Sequence, residues 1–343
     1  MALRVASGDR RRQIDRLALG LVLALAVSIA PSVARAQSFF QRFDSDTSGW
    51  INFGNGSVVR VASGASAADG YGDGINSSPG DFHAWLRTNP TANFRQGASG
   101  SCVAGWSDCV GPFTDWGLRF TASHLPAGGD STQVDIYLDT SFAATHPDYR
   151  FDWDSALNDS TGQFLQDYVF NVGTGSALPN DPCGFRSTAH FVVTASNSAG
   201  REGSYPEDPA RIPQCIMRSG WYTFRHEFHA DESGTLEVDM SVINRRTGVT
   251  VADWSLHPSC APPQSAGLCS EDQPLPIAAV GGNAFGWFPN QEIDMLPVDN
   301  TMLRPLEPQT AADCGKGGWR NFVNPSFRNQ NACVFFAELE RPR

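Results

Sequence analysis

Between Trp221 and Trp254 the chain alternates apolar and polar residues in three stretches separated by two turns. Tyr222, Phe224, His226 and Phe228 fall on one side of the first stretch. Asp231-Glu232-Ser233-Gly234 then leads into Leu236–Val242, and Asn244-Arg245-Arg246-Thr247-Gly248 leads into Val249–Trp254. Successive side chains of a strand point to opposite faces, so a period of two marks a sheet with one buried side. Strands joined by short polar turns pair as hairpins. The segment is expected to be a three-stranded antiparallel meander.

The same pattern recurs elsewhere. In Ser131–Asp139, Val134, Ile136 and Leu138 share one face, while Gln133, Asp135, Tyr137 and Asp139 share the other. Asp167–Val172 and His190–Ala195 read as strands, whereas Phe151, Trp153, Ala156 and Leu157 stand in a stretch that reads as turn-rich. Residues 63–81, rich in Gly, Ala, Ser, Asp and Asn, read as a long surface loop. No segment beyond residue 36 keeps an apolar period of 3.6 through three turns. A βαβ rhythm is absent as well, which argues against a parallel sheet. About a dozen short strands with long loops predict an all-β chain built as a two-sheet antiparallel β-sandwich.

The first 36 residues have a different character. Arg10, Arg11, Arg12 and Arg16 precede an uncharged run from Leu17 to Ala30, and Ala34-Arg35-Ala36 follows. This is the layout of a cleaved secretory signal peptide, residues 1–36. Its apolar run is too short to favour an anchor, so no membrane span is expected after cleavage. A secreted, cell-surface or periplasmic location follows. Setting aside the six arginines and two aspartates of this segment leaves 19 basic against 34 acidic side chains. Such an acidic surface disfavours nucleic acid and anionic membranes as partners.

Eight cysteines in an exported chain suit a disulfide framework. Their order suggests Cys102–Cys109, Cys183–Cys215, Cys260–Cys269 and Cys314–Cys333, with other connectivities left open. The expected organisation is a sandwich over residues 37–303, a linker over 304–312, and a small disulfide-closed C-terminal unit over 313–343.

Phe43…Gly49-Trp50, Val134–Asp139, Gly234–Asp239, Gly282…Gly286-Trp287-Phe288 and Val298-Asp299-Asn300 together resemble exported bacterial sandwiches of the concanavalin-A-like lectin/glucanase kind. The ending Cys314-Gly315-Lys316-Gly317-Gly318-Trp319…Phe327-Arg328-Asn329-Gln330…Cys333-Val334 resembles a Cys-x-x-Gly-Gly-Trp…Phe-x-Asn-Gln…Cys-Val tail found on exported bacterial proteins. The resemblance implies a jelly-roll fold shared by lectins, laminin-G-like modules and glycoside hydrolases. In one hydrolase group, two glutamates flank an aspartate on a strand and act as nucleophile and acid/base. Glu237-Val238-Asp239 and Glu292-Ile293-Asp294 match this in part, and both lack the second glutamate. Alternation would still place Glu237 beside Asp239, and Glu292 beside Asp294. A retaining mechanism needs two carboxyls about 5 Å apart. Solvated strand residues are the plainer reading of both pairs.

Asp44, Asp135 and Asp299 lie at strand edges or turns, where calcium takes oxygen ligands. One calcium ion is therefore an expectation, set against turn capping, and no cofactor is required. Trp106, beside Asp108 in the Cys102–Cys109 loop, is the leading candidate for stacking on a sugar ring; Asn283 and Trp287 form a second pair. His226 and His229, three apart, should face opposite sides of their strand. No Gly-x-Ser-x-Gly elbow is present. These features point to an exported non-catalytic protein that binds a glycan or cell-envelope polymer. A glycoside hydrolase or lyase on the same fold and a structural surface protein are the alternatives, and the oligomeric state is open.

Overall fold

The alternating stretches pair as the sequence predicts. The computed structural model describes residues 38–54, 56–88, 111–117, 125–126, 128–146, 149–175, 182–184, 189–197, 211–256, 275–308, 310–322 and 326–340. Its strands in chain order begin with β1 (Phe39–Gln41), β2 (Trp50–Ile51), β3 (Ser57–Ala62), β4 (Phe82–Arg87), β5 (Phe113–Thr114), β6 (Asp130–Leu138), β7 (Arg150–Asn158) and β8 (Phe164–Thr174). They continue with β9 (Phe191–Asn197), β10 (Gln214–Ile216), β11 (Gly220–Ala230), β12 (Leu236–Asn244), β13 (Thr250–Leu256), β14 (Gly282–Trp287) and β15 (Leu296–Pro305). One sheet runs β13-β12-β11-β6-β15-β4-β3, with β1 also on β15; the other runs β10-β9-β8-β7-β14-β5-β2. The chain is an all-β, two-sheet antiparallel sandwich of the jelly-roll kind.

The meander β11-β12-β13 owes its register to its turns. The Asp231 carboxylate accepts from the N–H groups of Ser233 (2.7 Å) and Thr235 (2.9 Å), and Gly234 takes a left-handed φ of 80°. In the next turn Asn244 Oδ1 accepts from the N–H groups of Arg246 (3.1 Å) and Thr247 (3.0 Å). Asp and Asn close turns in this way because a short acceptor reaches the backbone two residues on.

Inward side chains of the two sheets make one core. Val134, Ile136, Phe224, Phe228, Val238 and Met240 from the first sheet face Phe151, Trp153, Phe170, Phe191 and Val193 from the second. Burying each such side chain contributes about 1.5–3 kcal/mol. His226 is also fully buried, and burial lowers its pKa to about 3, so the core holds it neutral. Gly286 on β14 lets the core tryptophans approach. A Cβ there would lie 2.5 Å from Trp153 and 2.7 Å from Trp116.

Several expectations need correction. The stretch read as turn-rich is β7, a nine-residue strand, in which Asp152 and Asp154 alternate with Phe151 and Trp153. Residues 63–81 form a loop, but not simply a surface one: Tyr71 is fully buried, and its hydroxyl donates to the Tyr137 carbonyl (2.9 Å). Strand β15 runs to Pro305.

Cys183–Cys215 and Cys314–Cys333 are disulfides. Cys102–Cys109 and Cys260–Cys269 fall outside the described residues, as does the expected signal segment. Among the described residues two short α-helices are present, α1 (Thr140–Thr145) and α2 (Gln330–Phe335). α2 carries Cys333, which clusters with Cys314, Phe322, Trp319 and Phe327 in the tail. Among the described residues no helix is long and apolar enough to cross a membrane.

Candidate functional site

Because β7 turns Phe151 and Trp153 inward, it turns Asp152 and Asp154 outward. Neighbouring strands add Asn171 from β8 and Ser196 from β9 to the same face. They form a relay: Ser196 Oγ donates to Asn171 Oδ1 (2.7 Å), Asn171 Nδ2 donates to Asp152 Oδ1 (3.2 Å), and Asn290 Nδ2 donates to Asp152 Oδ2. Arg211 Nη1 also donates to Asn171 Oδ1 (3.4 Å). Asp152, Asn171, Ser196 and Arg211 are all buried.

Asp154 is set apart from this relay. It is fully buried, and no hydrogen bond of ordinary geometry reaches either carboxylate oxygen. Burial raises its pKa well above the usual carboxylate range, and the neighbouring charges of Asp167 and Asp152 add to the rise. Burial and like-charged neighbours both favour the protonated form of a carboxyl in that position.

Across the ladder from Asp154 stands Trp287 of β14, its direct cross-strand partner. Such partners lie about 4.5–5.5 Å apart at Cβ and share a face. The Trp287 Nε1–H donates to the Gly111 carbonyl (3.0 Å), which fixes the indole. Phe53, Phe113 and Phe285 join it edge to face, with centroids 5.7–6.4 Å apart, around a hollow of about 180 Å³ lined by these four side chains. Phe53 is 42% exposed.

The outer face of the other sheet is polar at one end. Glu227 and His229 on β11 and Asp239 on β12 line a cavity of about 740 Å³, together with Leu125, Ile277, Val280, Leu306 and Glu307. His229 Nε2 lies 3.0 Å from Asp239 Oδ2. The bond to Asp239 is the main reason the His229 pKa rises to about 9.

Midway along that face, Asp135 and Asp299 are cross-strand partners on β6 and β15, both fully buried. Like charges directly opposite destabilise a sheet, and the loop over them supplies donors. Ser78 gives its hydroxyl to Asp135 Oδ2 (2.6 Å) and its N–H to Asp299 Oδ2 (3.0 Å). Arg245 Nε lies 3.1 Å from Asp135 Oδ2, and Thr223 Oγ1 donates to Asp135 Oδ1. Asn300, at a left-handed φ of 46°, marks the irregularity that turns β15 from β4 toward β1.

The residues singled out in the sequence are placed as follows. Trp106 and Asp108 lie outside the described residues. Asn283 and Trp287 do not act together. A register shift between Asn283 and Phe285 separates them, and Asn283 is buried, donating to Asp130 and accepting from Ser155. Glu237 and Asp239 do share a face, and each brings a carboxylate oxygen close to His229. Glu292 and Asp294 are not strand neighbours; they lie in the turn before β15. There Glu292 accepts from the Arg150 N–H (3.0 Å) and Asp294 from the Thr88 N–H (3.0 Å), which fixes backbone. Asp44 approaches the Asp135–Asp299 pair and adds to the negative charge felt by Asp299. Both oxygens of Asp135 and of Asp299 accept from side-chain or backbone donors. Asp152, Asp154, Asn171 and His229 were not read as site residues. The alternation Asp152-Trp153-Asp154 was the available signal.

No family model matches the chain, and no curated protein matches it. Among solved structures, it is similar to the CBM2 module of the evolved Dit protein of Lactobacillus casei BL23 phage J-1, at 13% identity over 78% of this chain and 96% of that one, TM-score 0.31. It is also similar to an alginate lyase mutant in complex with alginate trisaccharide (13% identity, 75% and 97% coverage, TM-score 0.33). A third likeness is to an endo-β-1,4-glucuronan lyase from the fungus Trichoderma reesei (8% identity, 78% and 94% coverage, TM-score 0.32). With TM-scores near 0.3, these likenesses identify neither a ligand nor a reaction.

Proposed function

We propose that this chain is an exported protein that binds a glycan or cell-envelope polymer without cleaving it. The contact surface is the outer face of the seven-stranded sheet around Trp287. One observation carries the reading: an indole pinned at its Nε1, walled by three phenylalanines, sits beside a row of buried hydrogen-bonding groups. A sugar ring presents C–H groups on its faces and hydroxyls at its rim, and sites that combine an aromatic wall with a few fixed polar groups suit that shape. Asp154 lies beneath the surface, which suits support of Trp287 better than attack on a substrate.

The test is a glycan and cell-wall polymer array probed with the purified protein, with calcium and with chelator, beside Trp287→Ala. The reading expects a hit that the variant weakens at least about tenfold, about 1.4 kcal/mol. Binding that Trp287→Ala leaves intact would move the ligand elsewhere, and no binding under either condition would sink the proposal.

A hydrolase or lyase on the same fold is favoured by a different observation, the approach of the Glu237 and Asp239 carboxylates to within 4.8 Å of each other. Release of reducing ends or of unsaturated sugars from an array hit, abolished in Glu237→Gln, would establish that reading instead.

A further inference from the structure

We infer that His229, Glu237 and Asp239 form a site for a divalent transition-metal ion of the zinc class on the outer face of the eight-stranded sheet. The site lies on the sheet opposite Trp287, so it stands or falls independently of glycan binding.

The geometry follows from the hairpin. His229 on β11 and Glu237 on β12 are cross-strand partners, and Asp239 is the next residue of β12 on the same face. One ligand atom from each of the three lies within 4.8 Å of the other two. The closest pair, His229 Nε2 and Asp239 Oδ2, is 3.0 Å apart. Two ligands on a tetrahedral ion, each bound at about 2.0–2.2 Å, lie about 3.4 Å from one another. A shift of a few tenths of an ångström would seat the ion between the pair.

Groups outside the trio already hold its members as ligands. His229 Nδ1 lies 3.3 Å from the Ala230 carbonyl oxygen, so the donor nitrogen faces the backbone and Nε2 faces the carboxylates. Ligating histidines are oriented by just such a bond from the second ring nitrogen. The Ser255 hydroxyl donates to Asp239 Oδ1, leaving Oδ2 turned toward His229. The 740 Å³ cavity beside His229 and Asp239 has room for the waters that complete the coordination. Glu227 and Glu307 line the same cavity and favour a cation there, while Arg225, 3.6 Å from Glu227, and Arg304, which also feels Glu227, oppose it.

The donor set selects the metal. One imidazole nitrogen with two carboxylate oxygens suits zinc and its first-row neighbours, whereas calcium prefers oxygen ligands throughout. On binding, the ion takes the Nε2 lone pair and the proton held there passes to solvent.

The test uses untagged, chelator-stripped protein titrated calorimetrically with zinc chloride and, separately, calcium chloride. One zinc ion per chain is expected, with calcium failing to compete. His229→Gln and Asp239→Asn should each weaken zinc binding at least about tenfold, and Glu232→Gln, in the exposed hairpin turn, should leave it unchanged. Circular dichroism checks that each variant is folded. Cobalt added in place of zinc should give a visible absorption spectrum that His229→Gln abolishes. Absence of saturable zinc binding would overturn the inference. So would zinc binding that both folded site variants retain, or equal binding of calcium.

Discussion

Trp287 and Asp154 stand directly opposite each other on neighbouring strands, an indole fixed at its nitrogen beside a fully buried carboxyl whose pKa burial raises. The protein places an aromatic surface over a buried polar group, and burial favours the uncharged form of Asp154. Asp154→Asn should therefore fold and preserve any ligand affinity within a few-fold. Asp154→Trp should destabilise the sheet, because a far larger side chain overfills a fully buried site. Thermal melts and array binding of the two variants check this.

A second prediction concerns pH. Burial, aided by Asp135 and Asp44, pushes Asp299 up to about 8 from an ordinary value of 3.8. Burial pushes Asp130 up to about 8 as well. The folded chain then binds these protons more tightly than the unfolded chain does. Stability is thus fully present below about pH 4, falls as pH rises, and has lost this contribution above about pH 8. Asp299→Asn should flatten part of that slope. Calorimetric melting temperatures across the window, with a slope unchanged in the variant, would contradict the assignment.

The clamp over this pair gives a third. Ser78 donates to both Asp135 and Asp299. Ser78→Ala removes a donor from a buried carboxylate, at a cost of about 1–3 kcal/mol. Limited proteolysis should then cut within residues 63–81 faster than in the parent protein. An unchanged cutting pattern together with an unchanged melting temperature would show that the loop is held by Tyr71 instead.

Packing supplies a fourth. Gly286→Ala would push a methyl group against Trp153 and Trp116, costing about 1–3 kcal/mol in a closely packed core. Phe224→Ala should cost about 3–5 kcal/mol through the cavity it leaves. Denaturant midpoints measure both.

Alternation made most of the sandwich legible. Wherever a strand has one buried and one polar face, as in β6, β11 and β12, the period of two identified it. β7 escaped because the aspartates at its outward positions 152 and 154 read as turn formers in the sequence. The site was only half visible for the same reason. Trp287 stood out as a tryptophan, but its partner Asp154 is distant in sequence and is brought opposite by strand pairing. The pairing of Asn283 with Trp287 failed on a register shift between them, a backbone feature with no composition signal. Glu237 and Asp239 were found by spacing, whereas His229 needed the hairpin register to join them.

The most direct test of the account follows the Trp287 indole N–H by ¹⁵N–¹H NMR, its peak assigned by its loss in Trp287→Phe, during titration with the best glycan from the array. The account predicts that this peak shifts progressively and saturates with the binding curve. A glycan that saturates the protein while the Trp287 peak stays in place would contradict it.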